Sequence, residues 1–102
     1  MLIEDKQAGA KRATAFFAMG GVMSSRYQVV CAVVDRGSLK AAADELGYTQ
    51  SAVSQAVKAL ERELGTTILE RGKQGVSLTR DGKQYLPYLR QIVTAEAELE
   101  GK

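Results

Sequence analysis

The chain has 102 residues, 45% of them hydrophobic and 25% charged, and its formal net charge is +2. These values suit one soluble globular domain with an appended arm or helix, and the length excludes a large α/β enzyme fold. With no His and one Cys, Cys31, the chain lacks a Ser-His-Asp triad, a Cys-His pair, an internal disulfide and the usual zinc ligands.

Residues 1–22 are Ala-rich, with Lys11-Arg12 ahead of the short apolar run Ala13–Met19. A basic stretch before an apolar run is the form of a secretory signal, but Glu4 and Asp5 stand in the would-be basic region and Gly20-Gly21 interrupts the core. The preferred reading is an N-terminal extension: an added arm or helix, vector-derived residues, or residues ahead of a true start at Met23. No run reaches the ~18 apolar residues of a membrane helix, and a lone thiol suits a reducing cytosol, so a cytoplasmic protein without a membrane partner is expected.

From there glycines and hydroxyls outline four helices. Gly20-Gly21, Gly37, Gly47 and Gly65 each follow an apolar-periodic stretch, as helix-ending residues do. Ser24 or Ser25, Ser38, Thr49 and Thr79 precede the next stretches and are suited to accept the free N–H groups of a first turn. The first helix, about 25–36, carries Tyr27, Val30, Cys31 and Val34 on one stripe, leaving Val29 and Val33 off it. Cys31 on that stripe reads as a buried, inert thiol. The second helix, 39–46, turns Leu39, Ala42, Ala43 and Leu46 inward, and its alanines permit another helix to approach closely. In the third, 50–64, Val53, Ala56, Val57, Leu60 and Leu64 face in.

After Gly65 the pattern changes. Ile68–Arg71 and Val76–Leu78 read as two short strands around a four-residue loop, Gly72–Gly75. A fourth helix then runs from Arg80 to about Leu99, with Pro87 inside it removing one hydrogen bond and favouring a kink. Its apolar residues form two sets, Tyr85/Leu89/Ile92 and Leu86/Val93/Ala97, more than one packing face requires.

The expected fold class is therefore mainly α: a winged helix-turn-helix of three helices and a two-stranded hairpin wing, followed by a long linker or dimerisation helix. The boundaries predicted are 1–22 for the extension, 23–79 for the domain (helix-turn-helix about 38–64, wing 66–79) and 80–102 for the linker helix. Ala42 to Ser54 carries the turn: small Ala43 at the helix crossing, Gly47 in the turn, Thr49 opening the next helix. With Val53, Val57, Leu60 and Leu64 inward, the outward flank holds Gln50, Ser51, Ser54, Gln55, Lys58 and Arg62.

That flank suits a DNA major groove. Gln pairs bidentately with adenine, Ser donates or accepts, and Lys reaches guanine or phosphate. Arg71, Lys73 and Gln74 on the hairpin suit phosphate contacts. Ser38, Thr49 and Thr79 are read as caps, backbone contacts or both. Residues 49–81 hold nearly as many acidic as basic groups, so any nucleic-acid face must come from placement and not from bulk charge.

At this point the sequence resembles the N-terminal DNA-binding domain of LysR-type bacterial transcription regulators. The likeness lies in Gly37–Gly47, Thr49–Gln55, Leu60–Gly65, Ile68–Arg71 and Val76–Gly82, and it spans about Ser25 to Ile92. Ile68-Leu69 departs from the Leu-Phe usual in that family. The resemblance implies sequence-specific double-stranded DNA binding and dimerisation through the long fourth helix. It also implies a small-molecule-sensing region beyond residue 102, so no effector or other cofactor is expected on these residues.

A small domain is marginal alone. Val29, Val33, Leu86, Leu89, Val93 and Ala97 are the surface expected to meet a sister chain, giving a homodimer on an inverted repeat with half-sites ~34 Å apart. The rival reading is a helical interaction module that pairs with a full-length regulator without binding DNA alone. An enzyme is the weakest reading, since no carboxylate pair, phosphate loop or acid–base His is present.

Overall fold

The computed structural model describes residues 24–101, and the N-terminal extension expected over 1–22 lies outside them. Within that span the order is α1 (Arg26–Arg36), α2 (Leu39–Leu46), α3 (Gln50–Leu64), β1 (Leu69–Gly72), β2 (Gly75–Leu78) and α4 (Arg80–Glu100). No helix among the described residues is long and apolar enough to cross a membrane.

Every helix starts on the hydroxyl that the sequence offers. Ser25, Ser38, Thr49 and Thr79 accept the backbone N–H of Gln28, Ala41, Ala52 and Gly82 in turn. Ser25 also forms a capping box with Gln28, each side chain serving the other's backbone. The first three helices end on Gly37, Gly47 and Gly65 at positive φ. At Gly37 the left-handed turn does more than stop α1: it frees the Gly37 carbonyl to accept the Val76 N–H of β2 at 3.0 Å. The domain's first turn thus holds the wing's second strand.

Ala42 and Ala43 are buried where α2 crosses its neighbours, and Val53, Val57 and Leu60 lock α3 onto them. Between α2 and α3 the N–H groups of Gly47 and Tyr48 both donate to the Ala43 carbonyl at 2.9 Å, which makes the turn tight. The strands pair antiparallel with Leu69 opposite Leu78 and Gly72 opposite Gly75. Pairing therefore continues through both glycines, and the loop is only Lys73-Gln74, two residues shorter than expected. Pro87 does not end α4, which is helical throughout its 21 residues.

Two expectations about packing are corrected. Val29 and Val33, assigned to a sister chain, are 2% and 0% exposed and belong to this chain's own core. The reason is that α1 is surrounded: it packs against α2, α3, α4 and β2, so it is apolar around much of its circumference. On α4, Leu89 is 2% exposed, while Tyr85, Leu86 and Val93 also pack against the core. Ala97 alone of the α4 residues assigned to the dimer surface is exposed. The large apolar residues that α4 leaves outside are Tyr88, Ile92 and Leu99. Two polar clamps fix α4 along α1: Arg90 to Asp35 at 2.7 Å, and the Ser25 hydroxyl to Glu96 at 2.7 Å.

Candidate nucleic-acid interface

Because α3 buries Val53, Val57 and Leu60, its opposite flank faces outward. Gln50, Ser51, Gln55, Lys58 and Arg62 lie on it with Ser54, the six residues expected there; Ser54 is partly buried and the other five are open to solvent. The wing stands beside this flank. Between them lies a groove of about 140 Å3 whose walls include Ser54 and Lys58 from α3 and Leu69, Arg71 and Val76 from the wing. An Arg71 guanidinium nitrogen lies 3.4 Å from the Ser54 hydroxyl, so the two elements meet at the mouth of the groove. Lys73 and Gln74 are exposed at the hairpin tip.

The charges sort by position. Among the described residues, the ion pairs are Arg26–Glu63, Arg36–Glu45, Lys40–Asp44 and Arg90–Asp35. None of them uses Lys58, Arg62, Arg71 or Lys73. The cations of the outward flank and wing are therefore free to meet an anion without first breaking an ion pair, although the chain's net charge is small.

The hydroxyls divide differently. Ser38 and Thr79 are half-buried caps, and Thr79 also donates to the Thr67 carbonyl at 2.6 Å. Thr49 caps α3 too, at the edge of the outward flank. Cys31 is buried in the core, and burial pushes its thiol up from its ordinary range.

One residue of the site was not singled out from the sequence. Glu61 lines the groove with Ser54, Lys58 and Arg71, and its carboxylate accepts the Ile68 and Leu69 N–H groups at 2.8 and 3.1 Å. In the sequence it reads as one more solvated acid on a helix. Only the return of the chain seven residues later reveals its task.

A protruding helix seated by a tight turn, with a two-stranded wing alongside, defines a winged helix-turn-helix protein. The profile of the bacterial regulatory helix-turn-helix protein, lysR family, matches residues 25–83, and the chain belongs to that family. The HTH-type transcriptional regulator CzcR of Bacillus anthracis is 41% identical over 73 residues, 72% of this chain and 25% of that protein. The probable HTH-type transcriptional regulator LrrA of Synechococcus elongatus is 42% identical over 69 residues, 68% of this chain and 24% of that protein. The chain thus spans about a quarter of the length of these relatives.

Among solved structures, the complex of the CbnR DNA-binding domain with DNA superposes with a TM-score of 0.68 at 30% identity, covering 74% of this chain and 87% of that one. The complex of the BenM DNA-binding domain with benA site 1 DNA gives 0.67 at 30% identity, covering 74% and 88%.

Proposed function

We propose that this chain binds double-stranded DNA sequence-specifically, as the DNA-binding part of a transcriptional regulator and not as a catalyst. The observation that carries this reading is the pairing of a polar outward flank on α3 with four adjacent cations that no described carboxylate engages in an ion pair. Gln50, Ser51, Ser54 and Gln55 read base edges, while Lys58, Arg62, Arg71, Lys73 and Gln74 hold phosphates. Thr49 adds a backbone contact from the helix start, whereas Ser38 and Thr79 serve the fold. The DNA-complex relatives lend the same reading support by likeness.

The chain acts as a homodimer through α4. Tyr88, Ile92, Ala95 and Leu99 are spaced by four, three and four residues, and the three large ones are exposed. This is the alternation of a seam between two helices. It takes the place of Val29, Val33 and Leu89, which the core already uses. The working division is residues 23–79 for DNA and 80–102 for pairing, and two recognition helices ~34 Å apart would read an inverted repeat.

Selection from a random duplex pool tests the reading. One enriched motif with two inverted halves is expected, with log K falling against log salt by about 0.9 for each phosphate contacted. A pool without enrichment, or binding indifferent to salt, would refute it.

A further inference from the structure

A two-stranded hairpin is barely stable by itself, so the wing's direction depends on what grips its root. Three residues do so. Gly37 holds β2 through Val76, and the Thr79 N–H donates to the Ile68 carbonyl at 2.9 Å from the start of α4. The third is Glu61, and it alone comes from the recognition helix. A carboxylate accepting two adjacent amides makes charge-assisted bonds, stronger than neutral ones. Arg71 lies two residues beyond Leu69 on β1, so both side chains fall on the same face, ~6.6 Å apart along the strand. Both line the groove beside Ser54. Any slip of the Leu69 amide therefore carries Arg71 with it.

Glu61 is also out of place by charge. It neighbours Lys58 and Arg62 on a surface that would face phosphates, where a free carboxylate weakens attraction. Its two amide partners give it a different task. We propose that Glu61 is a positioning residue for DNA recognition: acting through the Ile68 and Leu69 amides, it sets the wing against α3 and holds Arg71 beside Ser54. The proposal rests on the DNA-binding reading above.

The test measures the penalty of Arg71→Ala on the enriched duplex in three backgrounds of the 102-residue chain: unmodified, Glu61→Gln and Glu61→Ala. Gln keeps an acceptor oxygen and loses the charge, whereas Ala loses both. The expected penalty is about tenfold in the first two and less than about twofold in Glu61→Ala, where Arg71 is already misplaced. In the free protein, the Ile68 and Leu69 amides should exchange with deuterium about tenfold faster in Glu61→Ala and return toward the parent rate in Glu61→Gln.

An equal Arg71 penalty in all three backgrounds overturns the proposal, as does a uniform tightening on every duplex by both Glu61 variants, which marks a purely electrostatic residue. If Glu61→Ala does not fold, Glu61→Asp replaces it: the shorter side chain must diminish the Arg71 penalty that Gln preserves, and an unchanged penalty overturns the proposal. If the unmodified chain enriches no duplex, the DNA-binding reading fails. The amide exchange then decides the hold separately, and identical rates in all variants overturn it.

Discussion

Replacing Gly82 by Ala reverses the usual sign of a glycine substitution in a helix. Gly82 lies in the first turn of α4, where propensity alone favours Ala by up to about 1 kcal/mol. Yet a Cβ at Gly82 would fall inside van der Waals contact of the Ile68 carbonyl oxygen, with the Leu78 Cδ2 at 3.0 Å and the Ile68 carbonyl carbon at 3.1 Å. The neighbour is mostly backbone, held by Thr79 and Glu61, so it has little room to yield. Overpacking of this kind costs about 1–3 kcal/mol, and a shift of α4 also weakens the Thr79–Ile68 bonds, worth about 1 kcal/mol each. The net expectation is a loss of about 2 kcal/mol, which in a domain of this size lowers the melting temperature by about 10 °C. Thermal unfolding followed by circular dichroism measures it, with exposed Lys83→Ala as a control expected within about 0.5 kcal/mol of the parent. A Gly82→Ala protein melting at or above the parent temperature would show that α4 does not press on the wing root as described.

On the recognition flank, Gln50→Ala should cost about 1–3 kcal/mol on the preferred duplex and relax selection at one base pair, as read by repeated selection. Lys73→Ala should instead weaken all duplexes alike and reduce the salt slope by about 1 in fluorescence titrations. Ile92→Glu should raise the dimer dissociation constant by about 100-fold in sedimentation equilibrium, the scale of a central interface residue. Ile92 is 37% exposed, so the change also removes some burial within the monomer, and melting at concentrations below dimerisation measures that part separately. At alkaline pH, burial raises the Cys31 thiol above its ordinary 9.0, and burial together with Glu63 raises the Tyr27 hydroxyl above 10.0. The folded chain holds these protons more tightly than the unfolded one. The contribution of these two groups is then fully present below about pH 9 and is lost as pH rises through the raised values. Cys31→Ala should flatten the first part of that fall in melts between about pH 8 and 10.5.

The parts of this fold that were legible in the sequence are those settled within a turn or two of helix. Caps at Ser25, Ser38, Thr49 and Thr79 need only a hydroxyl and the next three residues, and the outward flank of α3 follows once Val53 and Val57 are placed inside. The faces of α1 and α4 were not legible in the same way. A helix packed on several sides has no single apolar stripe, so Val29 and Val33 looked surplus when they were central. On α4, residues that share the apolar pattern divide between the core and solvent according to how the helix rolls on α1, a matter of packing between segments distant in sequence that the Asp35–Arg90 and Ser25–Glu96 contacts accompany. The hairpin loop is two residues shorter than the sequence suggests, because Gly72 and Gly75 have the character of turn residues yet pair with each other.

The wing root joins these local facts into one mechanical unit. The Ile68 peptide gives its N–H to Glu61 of α3, and its carbonyl accepts from Thr79 at the head of α4. Helix α3, the wing and α4 therefore meet at a single residue that is itself fully buried. In the proposed dimer the Tyr88–Leu99 seam sets how two α4 helices cross, and the packing of α4 through Leu89 onto α1, which in turn packs on α3, relates that crossing to each α3. Spacing between half-sites is then a property of the rigid body. Lengthening the spacer of the preferred duplex by a few base pairs should cost most of the gain from the second half-site, because α4 packs directly on α1 and the wing root is tied to both α3 and α4.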